Sequence, residues 1–563
     1  MAVKTPFIEV LQLNVKRIAT ALIALAAFGP PLSAQQQPRL ETKDGRHGFI
    51  VDGKPFLILG AQINNSSSWP AALKTAWPAL EAMHVNTVEA PVYWEQLEPA
   101  LGQFDFSTVD LLIKGAREHN LRLVILWFGT WKNGQNHYVP EWVKSDTKKY
   151  PRQISAYGKL LDVMSPNSQA NLDEDKHAFA ALMRHIRDTD STQHTVIMMQ
   201  VENESGGIGS MRDYSAAAQK LFAANVPEFL TSALHRKQGT WEQVFGADAD
   251  ERFAAFSTAS YINEVAKAGK AEYPIPMYCN AWLTYPVHAL ENRDRPSAGQ
   301  EYPSGGPQQQ NIDLWKIAAP SIDILAPDFY SDDIPFFRSV IAAYARPDNP
   351  LFIPETGLRQ NNLGPYFFYA LGHGAIGFSP FGVDYTGWKH FEDDKMPAWL
   401  SQNFALFAPI QEQVAEWNVA GKLQTAVEEK GVPRKVLHFG KVDAIVSLGY
   451  PQRDGEQPPG TSDLQGRVMI AQTGPMEFIV TGFEASVSFI QGALTEDKPQ
   501  TQQLEILRAE EGQYLNGVWQ TARIWNGDQT DRGLNFHGAT PPVIRIRLHE
   551  IPLYAGDSDR SNE

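Results

Sequence analysis

Val196-Ile197-Met198-Met199-Gln200-Val201-Glu202-Asn203-Glu204-Ser205-Gly206-Gly207 is the stretch whose reading decides the fold. An apolar run stops abruptly in a carboxylate–amide–carboxylate cluster, and two glycines follow. The run reads as a buried strand and the Gly-Gly as the turn that leaves it. Charged side chains at the carboxyl end of a buried parallel strand are costly to a core, which makes them candidate catalytic groups. Pro350-Leu351-Phe352-Ile353-Pro354-Glu355-Thr356-Gly357 repeats the pattern, an apolar run halted by one glutamate before a glycine. Two strand-terminal glutamates far apart in the chain point to a paired-carboxylate site.

Working outward, the same pattern recurs. A hairpin around Asp52-Gly53 sends its second arm, Phe56–Gly60, into Gln62-Ile63-Asn64-Asn65. Short apolar runs follow at 85–90, 121–127, 275–279, 322–326 and 375–379. Between them lie helical patterns near 71–83, 176–187, 214–224, 227–235, 313–318 and 365–371. Ser107-Thr108-Val109-Asp110 reads as a capping box opening another helix, with Val109, Leu112, Ile113 and Ala116 on one face. Eight buried strands, each followed by helical material, predict an α/β fold: a (β/α)8 TIM barrel. An open doubly wound sheet would bring a glycine-rich phosphate turn after its first strand, and none is present.

The texture changes after a helix around 399–417. Residues 435–449, 467–491 and 543–551 alternate apolar and polar side chains, with Asp-Gly and Pro-Gly turns between. This predicts a C-terminal antiparallel β-sandwich domain that packs on the barrel, with accessory glycan binding as a second role for it. The expected organisation is a signal peptide over 1–34, a barrel over 35–415 and a sandwich over 416–563. The signal rests on Lys16-Arg17, the apolar run Ile18–Phe28 and the small residues Leu32-Ser33-Ala34.

Composition bounds the function. A formal charge of −15 and the lack of any basic stripe exclude nucleic acid or an anionic membrane as partner. The single Cys279 permits no internal disulfide, and its apolar setting reads as core packing. The 14 histidines show no metal-ligand spacing such as HExxH, so no metal site is expected. No Gly-x-Ser-x-Gly elbow supports a serine hydrolase.

In a closed barrel, the ends of the fourth and seventh strands face each other across the mouth, bringing Glu204 and Glu355 together. Retaining glycosidases hold their carboxyl groups about 5–5.5 Å apart, inverting ones about 6.5–9.5 Å. One group needs a raised pKa to act as an acid while the other attacks. Glu202, two residues back along its strand, reads as a hydrogen-bonding group beneath the site. Tyr93, Trp131 and Trp388 are candidate sugar platforms that serve equally well as core aromatics.

Gln200-Val201-Glu202-Asn203-Glu204, Asn86-Thr87-Val88 with Glu98-Pro99, Gly102-Gln103-Phe104-Asp105-Phe106 and Ile353-Pro354-Glu355 together resemble glycoside hydrolase family 35, the β-galactosidases. The resemblance spans roughly residues 40–410, and it is to a bacterial subgroup with a C-terminal β domain. It implies Glu204 as acid/base, Glu355 as nucleophile, Asn203 against the sugar 2-hydroxyl and Tyr330 hydrogen-bonded to the nucleophile. Asn64 and the aromatics are carried as substrate-binding candidates. Animal and fungal members carry Ala-Glu-Trp after the third strand where this chain has Gly129-Thr130-Trp131. They carry Ser-Ile-His-Tyr after the first strand, where it has Gln62-Ile63-Asn64-Asn65. The expected function is a periplasmic or secreted, retaining exo-β-galactosidase without a cofactor. Its expected substrates are terminal β-galactosyl residues of plant-type glycans, xyloglucan side chains among them. The alternatives are a glycosidase of the same clan with another sugar or an endo mode, and a silent glycan-binding barrel.

Overall fold

The computed structural model describes residues 37–285, 297–357, 363–384, 398–449, 465–492 and 502–552, apart from 532 and 539. The region read as a signal peptide and Trp388 lie outside these residues. Each apolar run of the sequence is a strand: Ile58–Gln62 (β1), Thr87–Tyr93 (β2), Arg122–Lys132 (β3), Val196–Asn203 (β4), Met277–Trp282 (β5), Ile324–Phe329 (β6), Phe352–Thr356 (β7) and Gly377–Pro380 (β8). All neighbours are parallel, and β4 pairs with β5 to leave one closed barrel in sequence order.

The strands are buried on both faces, which is why they read as continuous apolar runs. Inward-facing Ile58, Val124, Leu126, Met198, Tyr278, Ile324 and Phe352 fill the barrel. Phe49 and Val51 join that cluster from a small antiparallel sheet of Arg39–Lys43, Arg46–Val51 and Lys54–Pro55. Outward-facing Leu123, Ile125 and Val201 pack instead with helix residues such as Phe179, Leu182 and Ile262.

Two local expectations fail. Helix Ser107–Glu118 starts where expected, but its N-cap is Phe106 and Asp105, not Ser107, provides the capping carboxylate, accepting from Ser107 N at 2.8 Å. Ser107 is already the first helical residue, so no capping box forms. The long helix Ala249–Glu272 has no counterpart in the sequence reading. It is buried at nearly consecutive positions, Phe253, Ala254, Ala255, Ser257, Thr258 and Ala259. Small residues all round erase the apolar stripe that marks a surface helix.

The C-terminal domain is a sandwich of a six-stranded and a four-stranded antiparallel sheet. Its first strand is Leu423–Val427, and the boundary drawn at 415/416 falls inside the last helix, Gln411–Val419. The strands Arg467–Gly474 and Glu477–Phe483 are apolar at both alternations. Val468, Ile470, Phe478 and Val480 enter the sandwich core. Met469, Ala471, Ile479 and Phe483 enter the core that surrounds the barrel. Arg467 crosses the same boundary: buried, it donates to Asn403 Oδ1 on helix Ala398–Phe407 at 3.0 Å and lies over the Phe483 ring.

Candidate active site

The ends of β4, β6 and β7 bring three carboxyl groups together. One oxygen each from Glu204, Asp328 and Glu355 lies within 4.8 Å of the other two, and all three residues are buried. Glu202 and Glu204 both have positive φ, 65° and 43°. Non-glycine residues held there are strained, a feature that clusters at functional sites. Glu202 accepts from Trp131 N at 2.6 Å and contacts the Asp175 carboxyl of helix Gln169–Asp190. The reading of Glu202 as a hydrogen-bonding group agrees with this geometry.

Glu355 is held at both oxygens. Tyr330 Oη donates to Oε1 at 2.5 Å and Gln62 Nε2 to Oε2 at 3.1 Å. Asp328 is paired in register with Glu355 on the adjoining strand, so the two side chains emerge at one level. Asn280 on β5 ties the acids together: its Oδ1 accepts from Glu204 N at 2.9 Å and its Nδ2 donates to Asp328 Oδ2 at 2.6 Å. Lys132, at the end of β3, donates to Asn203 Oδ1 at 2.7 Å.

Burial first, and then the Glu355 charge, pushes the Glu204 carboxyl up to about 8. Lys132 pulls the other way. A group so poised holds its proton at neutral pH and can give it to a leaving oxygen. Asp328 is driven well above the carboxylate range by burial, then by Glu355 and Glu204. Among the described residues, these three acids are the group that could reach a single ion. Tyr330, Gln62 and Asn280 already donate to their oxygens, which is the setting of a hydrogen-bonded carboxyl cluster.

The sequence candidates separate here. Glu204, Glu355, Asn203 and Tyr330 converge. Asn64 lies beyond Gln62 with its backbone N and Nδ2 both committed to Asp384 Oδ1, at 3.1 and 2.6 Å. Tyr93 and Trp131 do not offer open ring faces. Tyr93 is buried against Tyr138, ring centroids 4.9 Å apart, and Trp131 is buried against Tyr261. For both rings the core reading fits. Trp388 lies outside the described residues.

Gln62, Lys132, Asn280 and Asp328 are parts of the site absent from the sequence candidates. Gln62 and Asp328 carried a usable signal, a polar residue ending an apolar run. Gln62 Oε1, Asn203 Nδ2 and Asp328 Oδ1 are buried with no hydrogen-bond partner. Unsatisfied buried polar atoms are rare, and their gathering here marks a place where a polyhydroxylated ligand would supply partners.

Residues 48–286 match the model of glycosyl hydrolases family 35. This segment contains β1 to β5 and Glu204. Residues 400–537 match a domain of unknown function, DUF5597, which coincides with the last barrel helices and most of the sandwich. A β-galactosidase of Xanthomonas manihotis is 27% identical over 219 residues, 36% of this chain and 33% of its own. The human β-galactosidase is 26% identical over 240 residues, 39% of this chain and 32% of its own. The chain thus spans about a third of the length of these curated relatives. Among solved structures, a β-galactosidase from Bacillus circulans sp. alkalophilus is matched over 64% of this chain and 57% of its own, at 15% identity and a TM-score of 0.45.

Proposed function

We propose that this family 35 barrel is a retaining exo-β-galactosidase. The observation that carries the reading is the approach of Glu204 and Glu355 to within 4.8 Å at the barrel mouth, with the acid poised on Glu204. That separation leaves no room for an attacking water between the carboxyls, as inversion requires. Glu204 protonates the glycosidic oxygen while Glu355, oriented by Tyr330 and Gln62, attacks the anomeric carbon. Glu204 then takes a proton from water, which displaces Glu355 and releases the sugar. Asn203 Nδ2 is the donor for the sugar 2-hydroxyl.

The substrate we infer is a terminal β-galactosyl residue of plant-type glycans, xyloglucan side chains among them. The relatives named β-galactosidase support the sugar. The leader-like run Ile18–Phe28 supports export to a compartment where such polysaccharides are met. Gly129-Thr130-Trp131 at the end of β3 favours a second reading, a different sugar on the same barrel.

Proton NMR of the first-formed product from 4-nitrophenyl β-galactoside tests the mechanism: β-galactose is expected, and initial α-galactose would overturn retention. A panel of 4-nitrophenyl glycosides tests the sugar, and a tenfold preference for another glycone would favour the second reading. N-terminal sequencing of exported protein is expected to begin near Gln35.

A further inference from the structure

Asp328 is a buried acid that the double-displacement scheme does not use. Its Oδ2 accepts from Asn280 Nδ2, and its Oδ1 has no donor. The group it lies beside is another acid, the Glu204 carboxyl: an oxygen of each lies within 4.8 Å of the other. Two carboxyls so placed can hydrogen-bond only if one of them carries a proton, since an ionised carboxylate only accepts. The register pairing with Glu355 sets a third carboxyl alongside, so full ionisation would place three negative charges within 4.8 Å.

We propose that Asp328 is a positioning residue that stays protonated through the catalytic cycle and donates its hydrogen bond to Glu204. This rests on the reading of Glu204 as acid/base. Asn280 holds both ends of the arrangement, the Glu204 backbone N and Asp328 Oδ2, so Asp328 Oδ1, which has no partner, is the oxygen free to carry the proton. When Glu204 gives its proton to the leaving oxygen, the new carboxylate receives the Asp328 hydrogen bond. In the second step the same bond holds that carboxylate as it removes a proton from water. Asp328 neither gains nor loses a proton, so the overall balance is that of hydrolysis.

The charged and titratable groups facing this pair are Lys132 from β3, Glu355 from β7, Tyr330 and Tyr285 from the loops after β6 and β5, Tyr278 from β5 and Tyr344 from helix Ile334–Tyr344. Lys132 is the cation among them, and it already serves Asn203. The acids outnumber it, so a proton on Asp328 relieves the excess charge. The strong upward push on Asp328 is in keeping with this.

The test uses Asp328→Asn and Asp328→Ala in the full chain. Asparagine keeps an N–H toward Glu204 and an acceptor for Asn280. The basic limb of kcat/KM for an aryl β-galactoside is therefore expected to stay within about 0.3 pH units of wild type. Alanine removes the donor, so that limb moves up, and kcat falls about tenfold, more than kcat/KM, because the second step needs the positioned carboxylate. Infrared difference spectra of wild type against Asp328→Asn above pH ~8 are expected to show a protonated carboxyl band lost in the variant.

A downward move of about one unit in the Asn variant would mean that Asp328 is an anion, and would overturn the proposal. So would absence of the band, or an alanine variant indistinguishable from wild type. If the alanine variant does not fold, the asparagine profile and the spectra decide. Failure of the acid/base reading is separate: it would appear as full activity in Glu204→Gln, with the infrared band unaffected.

Discussion

Lys132 Nζ donates to Asn203 Oδ1 across 2.7 Å, and that bond decides which end of the Asn203 amide is left for a ligand. The remaining end, Nδ2, is buried without a partner. An ammonium can only donate, so the amide oxygen must face Lys132 and the amide nitrogen must face away. Lys132→Met frees the amide to flip. It is expected to lower kcat/KM for an aryl β-galactoside by about 10- to 100-fold through lost positioning. The 2-deoxygalactoside, which has no hydroxyl for Asn203, should lose far less. Equal losses on both substrates would show that Lys132 acts through its charge on Glu204 instead.

The two glutamates should separate by chemical rescue. Glu204→Ala should spare the first step on an activated aryl galactoside, because a good leaving group needs little protonation, and should stall the second. A phenol burst is expected, and azide should speed turnover to give the β-galactosyl azide. Glu355→Ala should lose activity, with azide returning some of it as the α-azide. The opposite pairing of anomers and variants would reverse the two roles.

Gly129 carries a packing prediction. A Cβ built there would meet Trp127 Nε1 at 2.3 Å and Glu202 Oε1 at 2.7 Å. Neither group can retreat: the indole donates to Asp175 Oδ1 at 3.0 Å, and Glu202 is held by Trp131 N. Gly129→Ala should therefore destabilise the barrel by about 1–3 kcal/mol, read from denaturant midpoints. A variant as stable as wild type would show that the β3 end has slack.

The buried acids of the barrel predict the direction of pH dependence, among them Glu89 on β2, which accepts from Tyr278 Oη at 3.1 Å. Burial pushes Glu89 and Glu204 each up to about 8, and raises Asp175, Glu202 and Asp328 as well. Folded pKa values above the unfolded ones mean that the native state binds more protons between roughly pH 4.5 and 8. Stability from these groups is thus complete below that window and is lost as pH rises through it. The melting temperature should fall from pH 5 to pH 8, and Glu89→Gln should reduce the slope. A melting temperature that climbs over this interval would contradict the assignment. The basic limb of activity is expected near 8, where Glu204 loses its proton.

The barrel was legible because parallel strands buried on both sides announce themselves as apolar runs, and because Glu204 and Glu355 stop those runs where a core would not tolerate them. Tyr330 and Asn203 followed from resemblance. Lys132 and Asn280 were not legible, since their roles depend on which strands become neighbours: Asn280 on β5 bonds the Glu204 backbone N on β4 and Asp328 on β6. Trp131 and Tyr93 show the converse error, in which an aromatic near a strand end was open to two readings and the ring went into the core. In the sandwich, the hairpin of Gln502–Leu515 and Val518–Trp525 shows no clean apolar alternation: Val518–Trp525 is exposed along most of its length, and Gln502–Leu515 mixes Glu505, Arg508, Glu510 and Glu511 with its apolar residues. Its turn was nonetheless readable in Asn516-Gly517, both at positive φ as a type I′ turn requires.

The sheet that carries Arg467–Gly474 and Glu477–Phe483 belongs to two hydrophobic cores at once, one through each face. An appended module would leave a polar seam at which the chain could be cut; here the seam is greasy on both sides. Excising the barrel at residue 415 would strip Met469, Ala471, Ile479 and Phe483 from its flank and bare the helices they cover. Calorimetry of the intact chain should then record one endotherm rather than two. Grafting the sandwich onto a foreign barrel would require moving the helices Ala398–Phe407 and Gln411–Val419 with it, which makes those helices part of the inheritance unit.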